Sequence, residues 1–77
     1  MERYDLYVDE KQLGAELDRP AAIAAAERTR RQLAQAAALR PYASPEVCVR
    51  IAQTGEVRAV WFWTPEGWRA HAAEGWA

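Results

Sequence analysis

Cysteine, histidine and lysine each occur once in this chain, as Cys48, His71 and Lys11. A single thiol excludes an internal disulfide, and one thiol with one imidazole far from it in sequence has none of the spacing of a zinc or iron–sulfur site. No metal and no cofactor is expected. The four glycines, Gly14, Gly55, Gly67 and Gly75, stand apart from one another, so there is no glycine-rich loop to cradle a phosphate. No apolar run approaches the roughly 18 residues of a membrane span. The opening MERYDLYVDE is acidic where a secretory signal is basic and apolar. These absences predict a soluble, cytoplasmic protein in a reducing compartment. Catalytic groups are equally scarce. His71 lies among alanines and Cys48 within a β-branched run, neither beside an orienting acid or base, and the chain reads as non-enzymatic.

What is present fits one small domain over residues 1–77. A chain this short buries only about 60–65% of its unfolded surface, which makes association a recurrent expectation. The formal charge of −1 hides a polarity. Residues 1–18 hold six acids and two bases, residues 19–40 one acid and five arginines, and residues 41–77 four acids and three arginines. A net-negative chain lacks the general electrostatic footprint of a duplex-binding protein, although a local arginine stripe is still available.

The most regular stretch is 20–39, PAAIAAAERTRRQLAQAAAL, with nine alanines and no glycine. Nearly every position favours a helix, and the spacing sets Ala22, Ile23, Ala26, Leu33, Ala36 and Ala37 on one side and Glu27, Arg28, Arg31, Gln32 and Gln35 on the other. Asp18 suits the cap, Pro20 the first turn, and Pro41 the stop. Arg30 falls at the apolar edge, where its stem either snorkels to water or carries the guanidinium to a carboxylate on the sheet.

On either side of that helix the period changes to two. Tyr4, Leu6 and Val8 alternate with Asp5, Tyr7 and Asp9, and Leu13, Ala15 and Leu17 follow. A Glu10-Lys11 turn would set Tyr4 opposite Leu17, Leu6 opposite Ala15 and Val8 opposite Leu13, with Asp5 facing Glu16, and a longer, bulged connection is equally allowed. After the loop, Val47, Val49 and Ile51 alternate with Cys48 and Arg50, Thr54-Gly55 marks a turn, and Val57 to Thr64 resumes. Pairing across two turn residues sets Val47 opposite Phe62, Val49 opposite Val60 and Cys48 opposite Trp61. The remaining TPEGWRAHAAEGWA is expected as a tail or a short helix starting at Thr64-Pro65-Glu66. The predicted class is thus α+β: a ββαββ chain with a four-stranded antiparallel sheet of two hairpins, one long alanine-rich helix on one face, and a Trp-bearing C-terminal segment.

All four tryptophans fall in the last seventeen residues, at 61, 63, 68 and 76. Each buries on the order of 200 Å², so Trp61 and Trp63 on a helix-free face need a cover. Either the tail supplies it as an aromatic cluster, or Trp61, Trp63, Tyr7 and Arg50 form a partner-binding surface, since Trp, Tyr and Arg are enriched at interface hot spots. A homodimer through that face satisfies both readings. The sheet with aromatics and Arg resembles RNA-recognition modules in outline, with a different order of strands and helices and no matching aromatic string. In its small size, acidic start and lack of catalytic residues the chain is similar to the inhibitors and regulators carried by phages and plasmids, including anti-CRISPR proteins. The expected function is a non-catalytic protein-binding module that occupies a partner's surface. The alternative is nucleic-acid binding, through stacking on Trp61, Trp63 and Tyr7 or through Arg28, Arg31 and Arg40 along phosphates.

Overall fold

The computed structural model describes residues 1–39, 44–73 and 75–76. Helix α1 spans Arg19–Leu39, and its 21 residues make a rod of roughly 30 Å. The Asp18 carboxylate accepts the Ala21 amide at 2.8 Å and the Asp18 carbonyl accepts Ala22 at the same distance, which satisfies the opening turn. On the solvent side Arg31 donates to Glu27 at 2.7 Å. The side against the sheet is made of small residues: Ala22 and Ala26 are sealed, Ala37 is buried, and Ala25 and Leu33 are partly so. Small side chains bring the rod close to the two strands beneath it. Ile23 and Ala36, expected on that side, are exposed instead, because the true contact stripe is centred a little further round, where Thr29 and Arg30 are half-buried.

Five strands follow one another as β1 (Tyr4–Val8), β2 (Lys11–Leu17), β3 (Glu46–Ile51), β4 (Val57–Thr64) and β5 (Gly67–Ala72), with α1 between β2 and β3. They form a single antiparallel sheet in the order β2-β1-β3-β4-β5. The α+β class and the ββα start agree with the sequence reading. The four-strand count does not: the C-terminal segment is neither a loose tail nor a helix but a fifth strand. Thr64-Pro65-Glu66-Gly67 makes a hairpin turn, in which the Thr64 hydroxyl accepts the Glu66 amide at 3.2 Å and donates to the Gly67 carbonyl at 2.8 Å. Gly67 takes φ 112°, which a residue with a Cβ adopts only at a cost. A helix start and a β-turn both favour Pro in second place, and the glycine decides for the turn.

The first hairpin turns at Asp9-Glu10, one residue earlier than expected, with φ 48° and 68° at the two positions as a primed turn requires. Tyr4 does pair with Leu17, but Leu6 meets Gly14 and Val8 meets Lys11. The slack is absorbed by bulges and by Glu16 at φ 52°, whose amide donates to the Asp5 carboxylate at 2.9 Å. Asp5 is thus engaged by backbone rather than set against a like charge.

The second hairpin carries the larger correction. The Gly55 amide donates to the Ile51 carbonyl at 2.7 Å and Ile51 donates to Glu56 at 2.8 Å, so Ala52 to Gly55 form a longer connection than a two-residue turn. A register shift follows beyond Arg50. Val47 pairs with Trp61, Cys48 with Val60 and Val49 with Ala59, one residue away from the expected pairing. A slip of one residue moves every side chain of a strand to the other face. Trp61 accordingly faces the helix, at 6% exposure, in one core with Tyr4, Leu6, Val47, Val49 and Ile51.

The chain end completes this core. Trp76 is buried against Tyr4, ring centroids 4.8 Å apart and edge to face. Arg19 lies 5.5 Å over the same indole and donates to the Gly75 carbonyl at 3.0 Å. Trp68 meets Trp63 edge to face at 5.2 Å. The tail therefore does return onto aromatic residues, with Trp76 closing one end of the core and Trp68 covering Trp63.

Candidate functional site

Alternation along the strands assigns the sheet's second face. Tyr4, Leu6, Val47, Val49, Ile51, Ala59 and Trp61 point to the helix, so Tyr7, Cys48, Arg50, Val60 and Phe62, at the intervening positions, point away from it. The pairings Tyr7 with Cys48, Cys48 with Val60 and Val60 with His71 draw one row across four strands. A neighbouring row runs from Glu46 through Phe62 to Arg69. Among the described residues no helix or strand lies across these rows.

Two stacked pairs order the face. The Arg50 guanidinium sits 4.6 Å over the Tyr7 ring, and Phe62 stacks on His71 with centroids 5.6 Å apart and planes 22° from parallel. Both arrangements rest on the register, which places each pair within reach across or along strands. Cys48 is buried beneath this layer. The neighbouring Cys48 side chain is the main influence raising the Arg50 guanidinium above its ordinary value, while burial acts in the other direction. Arg50 is thus a fixed cation at any working pH, and its Nε is buried without a partner. At the margin Arg58 is divided between Glu56 at 3.3 Å and Glu2 at 3.6 Å. Arg69 is exposed and has no ion pair among the described residues.

Of the four residues proposed from sequence for a partner surface, Tyr7 and Arg50 share this face. Trp61 and Trp63 lie on the opposite one. Trp61 is core, with Arg30 stacked 4.1 Å over its ring, so the expected grouping of both indoles with Tyr7 does not form. Arg30 reaches no carboxylate: it stays half-exposed, its guanidinium laid over the Trp61 indole. Arg28 and Arg31 are exposed on the helix, Arg31 in its pair with Glu27, and the whole thickness of the domain separates them from the open face. Arg40 lies outside the described residues. Val60, Phe62, Arg69 and His71 complete the face and were missed in the sequence. The signal for them is the alternation of TPEGWRAHA read as a strand rather than as a helix.

Among the described residues no three His, Cys, Asp or Glu side chains gather as a metal site, and no helix is long and apolar enough to cross a membrane. Compared with protein-family models, with curated proteins and with solved structures, the chain matches none.

Proposed function

We propose that this chain is a non-catalytic protein-binding module, a small inhibitor or regulator that lays its uncovered sheet face against a partner protein. The observation that carries the reading is the pair of stacks on that face, Arg50 on Tyr7 and Phe62 on His71. Aromatic and Arg side chains already held in place lose little rotamer entropy on binding, which is what makes an anchor. The face also mixes apolar Val60 and Phe62 with cationic Arg50 and Arg69, a composition suited to a partner surface with exposed apolar groups and an acidic rim.

Phe62→Ala combined with Arg50→Glu removes one member of each stack while leaving the core residues in place. The expected result is a protein partner captured by the wild-type domain and reduced by roughly tenfold or more with the double variant, at unchanged circular dichroism. Equal capture by both forms overturns the assigned face. Anisotropy titrations with single-stranded RNA and DNA at two salt concentrations decide against the nucleic-acid alternative if no binding appears at low salt, and in its favour if the wild type binds there and the double variant does not.

A further inference from the structure

A five-stranded sheet has two edges, and the two here are unlike. Edge strand β2 has the features that discourage pairing with another chain: charged Lys11 and Glu16, a left-handed Glu16 and two register shifts against β1. Edge strand β5 carries a single charged side chain, Arg69, with no register shift and no left-handed non-glycine residue. It follows β4 over six consecutive pairs, Thr64 with Gly67 through Ala59 with Ala72, without a shift. It holds no proline and no lysine, and Ala70, His71 and Ala72 are exposed.

The phase of the ladder fixes which groups of β5 are free. The Ala73 amide donates to the Arg58 carbonyl at 2.8 Å, so this is a hydrogen-bonded position. In an antiparallel ladder such positions alternate, which makes Val60 with His71, Phe62 with Arg69 and Thr64 with Gly67 the other bonded pairs. Trp68, Ala70 and Ala72 therefore turn their amides and carbonyls outward.

We infer that β5 is a self-association edge, on which a second copy of this chain adds its own β5 antiparallel, across a two-fold axis at Ala70, to make one continuous ten-stranded sheet. Free groups on an antiparallel partner must meet free groups, and the register centred on Ala70 achieves this for all three residues: Ala70 opposite Ala70 of the second copy, and Trp68 opposite its Ala72 in both directions. Each large indole then lies across from a small exposed alanine on the helix side. On the other side Arg69 faces His71 of the second copy, and the two Arg69 side chains meet only on the diagonal, roughly 7–8 Å apart. A second copy thereby satisfies both β5 edges at once with no two arginines directly opposed.

Sedimentation across micromolar to millimolar concentration tests the inference with the full chain. Wild type is expected to pass from monomer to dimer. Ala70→Pro removes an outward amide and none of the bonds to β4, a substitution that an edge strand tolerates on its solvent side. Ala70→Glu keeps the amide but places two carboxylates opposite one another. Each is expected to weaken self-association by roughly tenfold or more while the monomer retains its circular dichroism. Amide exchange supplies the positional readout: Trp68, Ala70 and Ala72 should gain protection as concentration rises. A wild type that stays monomeric throughout, a dimer that survives Ala70→Glu, or a dimer in which those three amides gain no protection overturns the inference. Should Ala70→Pro fail to fold, Ala70→Glu and the exchange measurement decide alone.

Discussion

Arg30 is the residue whose environment is least comfortable. Its guanidinium stacks on Trp61 at 4.1 Å, Nη1 is buried without a hydrogen-bond partner, and burial holds its pKa below the ordinary arginine value despite the pull of Glu27. The stack contributes about 0.5–2 kcal/mol, whereas an unsatisfied buried donor costs about 1–3 kcal/mol. Methionine would keep the stem and offer sulfur to the indole at about 0.3–1.5 kcal/mol. Arg30→Met is therefore expected to leave the domain as stable or up to about 1 kcal/mol more stable in urea unfolding. A clear loss would mean that the cation on Trp61 outweighs the orphaned donor. The same stack shows how a residue can be placed correctly and understood wrongly from sequence: Arg30 falls at the apolar edge as its helical spacing requires, but its partner depended on which face Trp61 occupies.

At the scale of elements, the helix was legible almost to its ends, because alanine content, the Asp18 cap and the following proline all act locally. Strands β1 to β4 were legible from their alternation for the same reason. The pairings were less so, since register is set by turn geometry, and neither Glu10-Lys11 nor a two-residue Thr54-Gly55 turn forms. In the second hairpin that single residue of slip exchanged Trp61 and Trp63 for Val60 and Phe62 on the open face, which is why only Tyr7 and Arg50 of the expected surface lie there. Strand β5 was hidden by Thr-Pro-Glu, equally good as a helix start. Its turn gives the test. Gly67→Ala forces a Cβ into φ 112°, where no other atom crowds the position, so the backbone conformation itself supplies the cost of about 1–3 kcal/mol. Loosening is expected to concentrate in β5, read as faster amide exchange at Arg69 and His71 than at β1 or β3. Uniform acceleration across the sheet would show that the hairpin does not open separately.

Over the whole molecule, the sheet and rod fill 39 × 22 × 18 Å, and a sheet face of roughly 20 Å by 20 Å is below the about 800 Å² per partner of a standard interface. Two copies joined at β5 would present about twice that area on one side, so self-association and partner binding are expected to reinforce each other. The outer end of the sheet also carries the clearest acid response. The Tyr4 hydroxyl donates to the Glu2 carboxylate at 2.6 Å, and this bond, assisted by Arg58, holds Glu2 below its ordinary value of 4.5. A lowered carboxylate stabilises the fold above pH 4.5, and that contribution is lost as pH falls through the folded value. Glu2→Gln is expected to unfold with a smaller drop in urea midpoint on acidification in that window. The same bond raises Tyr4 above 10.0, so its contribution is present below that pH and lost as pH climbs through the folded value. An acid profile unchanged by Glu2→Gln would remove this bond from the account.

The closure of Trp76 onto Tyr4 has a consequence during synthesis. Strand β1 leaves the ribosome with a ring whose cover arrives some seventy residues later. Until then Tyr4 and the core behind it stay partly wetted however well the helix has formed. A nascent chain halted before Trp76 should therefore remain open to proteases that the released domain resists.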